Sequence, residues 1–499
     1  MKQKQYFLFL ILLLCSQLLV AQTVKSDSLS REAYTQILAL HFTRARKLLQ
    51  AEKKQNPDNV YVDYLENYHQ FLRSFISEDE TIFNEANAEF DLHYQRISEL
   101  SNDNPFKKLF LANMNLQWAF TRLKFGQYVK SAWQINKAYR LITANVKHFP
   151  AFVPNYITMG VLHIMIGIVP DEYGWMLRLI SMNGSVEQGK AEIYRVLESS
   201  LKNPHYAYLK SEALFYLGFV ELNLSSDQSS IDKLMKYMNR EEPDNLLLSF
   251  LKADILIHHG KNEKALNLLN QLSDRSNHYP FYYLDYMKGE CYLRKLNPQA
   301  DDYFSLFVHS FHGKNYIKDA WRKRAWLAFL QGDSSGYRQN LDTLLTCGAT
   351  LVDADKNAQD EAESGQYPNA NLLRARLLFD GGYYAQARLV LNTMGLKKLS
   401  HTEQVERLYR YGRIAHRLHQ WDEAKKQYRK SLILGSNLPQ YFAANAALKL
   451  GQIYESEDSL KMAGYYYQQC LQLHFDEYRN SIRGKAKNGL ERIKSKIKN

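Results

Sequence analysis

The stretch Leu450-Gly451-Gln452-Ile453-Tyr454 begins the pattern that decides the fold of this chain. Ala463 lies twelve residues after Gly451, and Tyr467 follows Ala463 by four residues. Small residues at these two positions allow two helices to cross closely, because a larger side chain at either one would push them apart. The large ring at the third position fills the space beside the crossing. The stretch therefore predicts two antiparallel helices.

The twelve-residue interval between small residues recurs along the chain. The pairs that show it are Ala33 and Ala45, Ala119 and Ser131, Gly218 and Ser230, Ala253 and Ala265, Ala375 and Ala387, and Gly412 and Ala424. The first small residue also advances by 35 or 36 positions along the series Gly218, Ala253, Gly289 and Ala325. This frame resembles the tetratricopeptide repeat (TPR), a helix pair of roughly 34 residues. We predict an all-α fold, a right-handed TPR-like α-α superhelix of helix pairs in one block or two.

The composition agrees with a helical-repeat fold. With 35 Tyr and 24 Phe against 11 Pro, the chain is rich in residues that fill helix interfaces and poor in the residue that ends helices. Short turn-forming runs such as Asn56-Pro57-Asp58-Asn59 and His259-Gly260-Lys261-Asn262 separate the predicted helices. The sequence lacks the sustained alternation of apolar and polar residues that a sheet needs.

The first residues have the pattern of a secretory signal peptide. Lys2 and Lys4 precede an apolar run from Tyr6 to Leu14, and we predict cleavage after Ala21. An uncleaved anchor is one alternative, although the run is shorter than the roughly 20 residues of a spanning helix. A lipid anchor on Cys15 is the other, but Leu14 is too large for the position before a lipobox cysteine. We expect an exported protein, periplasmic or associated with the outer membrane.

Charge and cysteine usage limit the classes of partner. Removal of Lys2 and Lys4 lowers the formal net charge from +12 by two, to +10. Lys and Arg are spread along the chain except in the run 485–498, which we interpret as the solvated face of a capping helix. We therefore expect no nucleic-acid partner. The three cysteines beyond the leader, Cys291, Cys347 and Cys470, are odd in number and far apart, which argues against a disulfide framework.

Motifs of catalytic and metal sites are missing or lack the context they need. The sequence contains no His-Glu-x-x-His. Gly184 to Lys190 has the Gly-x4-Gly-Lys spacing, but Ala191 follows where a phosphate-binding loop has Ser or Thr. Gly332 to Gly336 has the Gly-x-Ser-x-Gly spacing, but it lies between predicted helices and does not follow a strand. His309 with His312 and His416 with His419 offer two imidazoles each, whereas zinc takes three or four ligands. We therefore expect no enzyme, no cofactor and no metal.

The repeat period divides the chain into blocks. After the signal peptide, residues 1–21, we predict an N-terminal helical block (22–150), an apolar insert with an irregular repeat (151–203), TPR-like repeats (204–345), an acidic linker (346–367) and C-terminal TPR-like repeats with a basic capping helix (368–499). The apolar part of the insert, 166–182, needs cover from the solenoid, a membrane or a partner. The linker, a solvated loop or short helix, lacks the ligand spacing and glycine of an EF-hand calcium site.

Two segments resemble the tetratricopeptide-repeat protein 39 and inclusion-body-clearance family. One is Val169-Pro170 followed by Asn183-Gly184-Ser185-Val186, and the other is Pro439-Gln440-Tyr441-Phe442 with the run 478–483. The chain departs from the family at Ser185-Val186, where the family tends to have Gly-Asp. The resemblance implies a long helical-repeat adaptor.

The first helix of each TPR pair lines the concave face, and mapping the frame onto the chain gives a candidate groove. Its residues are Tyr283, Tyr286, Arg322, Trp326, Arg376, Tyr409, Arg413 and His416. Arginine binds carboxylates with two hydrogen bonds and stacks on rings, which suits an extended acidic peptide or a sugar chain. The alternative is that the rings fill space between helix pairs. We predict an exported scaffold or adaptor that binds protein partners in the cell envelope, with a glycan-binding envelope receptor as the alternative.

Overall fold

The computed structural model describes residues 22–168, 182–224, 228–241, 244–272, 274–395 and 398–498. The described ranges are helical, and one isolated bridge pairs Thr23 with Asn59. The predicted all-α, TPR-like fold of successive helix pairs is confirmed. The predicted signal peptide and most of the apolar part of the insert, residues 169–181 of 166–182, lie outside the described residues.

The chain forms two compact units. The first runs to Ile255 and includes Gln271–Phe281, and the second comprises Leu256–Asn270 and Tyr282–Asn499. These units follow contacts in space, whereas the blocks above follow the repeat period, and the division into those blocks stays a prediction.

The first unit contains most of the α-helices before residue 260. They are α1 (Ser28–Leu38), α2 (Phe42–Gln55), α3 (Tyr61–Ser77), α4 (Glu80–Ser98), α5 (Pro105–Lys124), α6 (Tyr128–His148), α7 (Asn155–Gly167), α8 (Val186–Lys202), α9 (Lys210–Asn223), α10 (Gln228–Met238) and α11 (Leu246–His258). A 3₁₀ helix, Pro204–Leu209, precedes α9.

The second unit continues with helices of similar length. They are α12 (Asn262–Gln271), α13 (Tyr283–Arg294), α14 (Ala300–Ser310), α15 (Ile317–Leu330), α16 (Ser334–Thr346), α17 (Asp353–Ser364), α18 (Ala370–Asp380), α19 (Tyr384–Asn392), α20 (His401–Arg417), α21 (Trp421–Gly435), α22 (Phe442–Ser456), α23 (Leu460–Gln472) and α24 (Arg479–Lys498). Consecutive helices such as α13 with α14, α15 with α16, and α22 with α23 pack against each other.

The acidic segment is a packed helix in the structure. α17 occupies residues 353–364, and Gly365 ends it in the left-handed conformation, with φ of +63°. Asp355 and Ala358 are fully buried, so one side of α17 belongs to the interior of the second unit. Of the two alternatives for this segment, a loop or a short helix, the helix is present.

Within the described ranges, no helix is both long enough and apolar enough to span a membrane. Cys291 and Cys470 are free and buried, and Cys347 is free and half-buried. Burial raises the pKa of the Cys291 and Cys470 thiols to about 12.

Candidate binding pocket in the second unit

A pocket of about 260 Å³ opens between four helices of the second unit. Three of them, α13, α15 and α18, are first helices of successive pairs, and the fourth is α17. Tyr478, directly before α24, completes the wall. The charges of the lining residues balance, with four cations and four carboxylates: Arg294, Arg322, Lys323, Arg376, Glu290, Asp319, Asp353 and Asp380.

Five lining residues form a buried ion-pair network that we call the pocket floor: Glu290, Arg294, Asp319, Arg322 and Lys323. Asp319 is at its centre. Its carboxylate accepts hydrogen bonds from the Tyr286 hydroxyl and the Arg322 guanidinium. The ammonium of Lys323 lies 2.5 Å from Oδ2, the carboxylate oxygen that also accepts from Tyr286. Burial raises the pKa of Asp319, but Lys323 and Arg322 outweigh it and hold the pKa well below its usual range. Asp319 is therefore an ionised, fully paired group.

The ion-pair network extends from Asp319 along α13. Lys323 also pairs with Glu290, and Glu290 lies 2.7 Å from Arg294. Burial raises the pKa of Glu290, whereas Lys323 and Arg294 lower it by more, so the carboxylate stays ionised. Breaking one partner of such a buried pair is strongly destabilising, because the other charge is left without compensation. The floor therefore has a structural role in addition to any contact with a ligand.

Trp326 is held in place by α17 and by two arginines. Its indole nitrogen donates to the Glu361 carboxylate at 2.6 Å. The guanidinium carbons of Arg322 and Arg376 lie 4.7 and 5.1 Å from its ring centroid, within cation–π distance. Only 3% of Trp326 is exposed. The ring therefore supports the floor and orients Arg376.

Arg376 differs from the cations of the floor because it is partly exposed and loosely paired. Its side chain is 31% exposed, and its Nε lies 4.0 Å from Asp380 Oδ2, the outer limit of an ion pair. Asp380 is shared with Arg413, whose guanidinium is 3.3 Å away. Burial lowers the pKa of Arg376, but Tyr478, Tyr441 and Asp380 raise it by more, so the group is charged.

The rest of the rim comes from residues that the sequence interpretation did not single out. Asp353 and Asn357 extend from α17, and Tyr478 lies across from them; Asp353 is exposed and Tyr478 is 40% exposed. Asp353 and Asn357 fall in the stretch interpreted as a linker, and Tyr478 lies off the repeat frame. The acidic composition of the stretch was the only signal, and composition does not indicate which face of the segment is buried.

The structure brings together four of the eight predicted groove residues. Tyr286, Arg322, Trp326 and Arg376 line the pocket. Tyr283 is not among the lining residues, although its ring stacks on that of Tyr286 at 5.1 Å.

The other three predicted groove residues lie in the packing of α20. Tyr409 is buried and accepts a hydrogen bond from Asn445 at 2.8 Å. Arg413 rests on the Phe379 ring at 4.0 Å, behind Asp380. His416 lies beside the Trp421 and Tyr428 rings, and burial together with Lys449 lowers its pKa to about 4. The role of all eight as ligand contacts stays a prediction.

Comparison with known proteins finds solved structures at low sequence identity and low TM-score. No protein-family model matches the chain, and no curated protein matches it. The chain is similar to a solved structure of an IFIT1 monomeric mutant with Gppp-AAAA, at 14% identity and a TM-score of 0.33, covering 95% of this chain and 96% of that one. It is also similar to a human IFIT1 dimer with PPP-AAAA, at 11% identity and a TM-score of 0.32, covering 96% of each. The resemblance to the tetratricopeptide-repeat protein 39 family stays a prediction.

Proposed function

We propose that this protein is a non-enzymatic TPR-like scaffold that binds a peptide segment of a protein partner at the pocket of the second unit. The observation that carries the proposal is the contrast between the floor and the rim. The floor consists of buried, mutually paired charges, whereas Arg376 on the rim is charged, partly exposed and 4.0 Å from its carboxylate.

The rim offers the chemistry that peptide recognition needs. A guanidinium binds a carboxylate most strongly through two parallel hydrogen bonds, and the contact of Arg376 with Asp380 falls short of that geometry. An incoming carboxylate can therefore improve the pairing of Arg376. Asn357 and Asp353 can bond main-chain groups, and Tyr478 offers a ring for stacking.

The size of the pocket favours part of a larger partner. Small-molecule sites usually measure roughly 300–1,000 Å³, and this pocket measures about 260 Å³. That volume suits one or two inserted side chains better than a whole cofactor.

A glycan is the second candidate ligand, and the charge balance of the pocket favours it. Four cations and four carboxylates leave no net charge to select an acidic peptide. A sugar chain would use the Tyr478 ring together with the amide and carboxylate of α17.

The proposal also includes the compartment. The leader predicted at residues 1–21 supports export to the cell envelope, in the periplasm or at the outer membrane. This location supports a protein or glycan partner over a nucleic acid.

The test is cross-linking of the protein in intact cells, followed by mass spectrometry of the captured proteins and a parallel glycan analysis. The pocket variant is Arg376→Gln with Tyr478→Ala, and the matched control is Arg388→Gln on α19, outside the pocket. We expect one envelope protein to be captured by wild type and control. The pocket variant should lose at least about tenfold, equivalent to roughly 1.4 kcal/mol of binding free energy.

Three results would count against the peptide proposal. Equal capture by the pocket variant would place the binding surface elsewhere. Enrichment of a glycan without protein, lost in the same variant, would transfer the pocket to the second candidate. Enrichment of nucleic acid would overturn both candidates.

A further inference from the structure

Three segments that are far apart in sequence meet in the first unit and bring two imidazoles to one carboxylate. His41 precedes α2, Asp244 lies just before α11, and His278 lies in the turn after α12, with separations of 203 and 34 positions. One nitrogen of each histidine and one carboxylate oxygen lie within 4.8 Å of one another. We propose that His41, Asp244 and His278 form a binding site for a divalent transition metal, with Zn²⁺ as the preferred ion.

The distances suit metal coordination. His41 Nε2 lies 2.7 Å from Asp244 Oδ2, and His278 Nε2 lies 3.1 Å from Asp244 Oδ1. The two imidazole rings are 3.9 Å apart between centroids and tilted by 32°. Zn²⁺ binds nitrogen and oxygen at about 2.0–2.2 Å, so tetrahedral ligand atoms stand roughly 3.3 Å apart. The His41–Asp244 separation of 2.7 Å would have to grow by roughly 0.6 Å to accommodate the ion.

The hydrogen bonds of His41 leave a position for a cation. Its Nδ1 lies 3.2 Å from the carbonyl oxygen of Asn277, and its Nε2 faces Asp244. Both neighbours are acceptors, whereas a neutral imidazole has only one N–H. With the proton on Nδ1, the lone pair of Nε2 faces a carboxylate, and a metal ion bound by both would remove this conflict once the two atoms move apart to coordination distance. A backbone carbonyl that holds the second nitrogen is the usual support of a metal-binding histidine.

The segments that carry the three residues are held in place by other contacts. The Tyr279 N–H donates to the Leu40 carbonyl at 2.8 Å, and the Tyr279 and Phe42 rings lie 4.8 Å apart. Asn245 caps α11 through the Leu248 N–H at 3.0 Å. These contacts fix the neighbours of His41, Asp244 and His278 independently of any ion. The site is therefore largely formed in advance, which lowers the cost of binding.

Exposure gives an ion access from one side. The side chains of His41 and His278 are 12% and 5% exposed, whereas that of Asp244 is 63% exposed. An ion can enter beside Asp244 and keep water as its fourth ligand, as in zinc sites with three protein ligands.

A second cluster in the first unit, Asp63, Glu66 and His93, provides a useful contrast. Arg96 lies 3.2 Å from Asp63, and Lys53 lies 3.5 Å from Glu66. These cations already compensate the carboxylates, so the cluster is an ion-pair network. The corresponding partners of Asp244 are two imidazoles, which are common metal ligands.

The test is calorimetric titration of the untagged full chain with ZnCl₂ after chelator treatment. We expect saturable binding of one Zn²⁺ per chain. His41→Ala and Asp244→Asn should each weaken binding more than about 100-fold, because loss of outer supporting groups alone costs roughly 10–100-fold. His93→Ala and Cys347→Ser should bind as wild type does, and the Co²⁺-loaded protein should show no sulfur-to-cobalt charge-transfer absorption.

If His41→Ala fails to fold, Asp244→Asn decides the result. Asp244 is exposed and asparagine has the same shape as aspartate, so this variant should fold, and circular dichroism checks that it does. Absence of saturable binding, or unchanged affinity in Asp244→Asn, would overturn the site. Loss of binding in His93→Ala or Cys347→Ser would assign the metal to those residues instead and would equally overturn it.

Discussion

At the scale of single residues, glycines at the first small position face an aromatic ring of the paired helix. A Cβ atom added to Gly412 would lie 2.7 Å from the Tyr428 ring, and one added to Gly451 would lie 2.5 Å from the Tyr467 ring. Real Cβ atoms do not approach that closely. Gly412 and Gly451 therefore have to be small because the ring of the paired helix occupies the space that a side chain would need.

The Tyr467 ring cannot move away from position 451 to make room for a larger side chain. Its hydroxyl donates to Glu455 at 2.6 Å, and a Cβ on Gly489 would meet the opposite edge of the ring at 2.5 Å. The ring is thus bordered by two glycines from different helices and fixed at its end by a hydrogen bond.

We predict that Gly451→Ala destabilises the protein. Overpacking of a filled core costs about 1–3 kcal/mol, which exceeds the gain of about 0.5–1 kcal/mol from replacing a helical glycine. Gly464→Ala on α23 is the matched control, because a Cβ there meets nothing within 4 Å. Urea unfolding followed by circular dichroism should give a lower midpoint for Gly451→Ala and a higher one for Gly464→Ala. Equal midpoints would contradict the steric frame.

At the scale of elements, α17 completes the beginning of another helix. The Asp355 carboxylate accepts the backbone N–H groups of Tyr316 and Asp319 at 2.6 and 3.0 Å, in the first turn of α15. Those N–H groups have no partner inside their own helix. Asp355 on α17 therefore caps the N-terminus of α15, although the two helices are not adjacent in the chain. This contact positions the pocket floor.

Burial makes this cap sensitive to pH. Burial raises the pKa of Asp355 to about 6, although the two backbone hydrogen bonds and Arg322 lower it. A folded-state pKa above the unfolded value of 3.8 gives stability that is fully present below pH 3.8 and lost as the pH rises through 6.

We predict that Asp355→Asn removes this pH dependence. The free energy of unfolding of wild type relative to the variant should fall by on the order of 2 kcal/mol between pH 4 and 7. Asp360→Asn, an exposed change on the same helix, should follow the wild-type curve. Urea unfolding at a series of pH values measures the difference, and parallel curves for wild type and Asp355→Asn would refute the assignment.

At the scale of the whole molecule, a solenoid needs its end covered, because each pair buries its apolar face only against neighbours. In the second unit, α24 supplies this cover. Ile482, Ala486 and Ile493 are buried in a cluster with Tyr467 and others of α22 and α23. Arg492 adds a two-bond contact to Glu455 at 2.9 and 2.8 Å.

We predict that Ile482→Ser with Ile493→Ser releases α24. Loss of buried isoleucines costs about 2–5 kcal/mol each, which is comparable to the stability of a whole domain. Hydrogen exchange followed by mass spectrometry should show faster exchange in α22 to α24. The surface variant Lys485→Ser with Asn488→Ser should exchange as wild type does. Unchanged protection in the isoleucine variant would show that α24 is not the cover.

The predictability of the site differs from residue to residue. Tyr286, Arg322, Trp326 and Arg376 were accessible to sequence reasoning because they sit at fixed offsets on first helices. Whether a residue at such an offset is exposed depends on its neighbours. Arg322 is paired with Asp319, one turn away on the same helix, whereas Tyr409 and His416 are enclosed by rings of α21 and α22.

The sequence by itself determined the helix pairs of this protein, because helical periodicity and the steric need for small residues act over a few dozen positions. Only the tertiary structure decided which side chains meet across longer separations. The pairing of Glu361 with Trp326 and the meeting of His41, Asp244 and His278 depend on distances in space. Contacts of this kind produce no repeating pattern in the sequence, because residues at many different sequence separations can be brought into the same contact by folding. The helical-repeat fold could therefore be predicted from the sequence, whereas the arrangement of charged side chains could not.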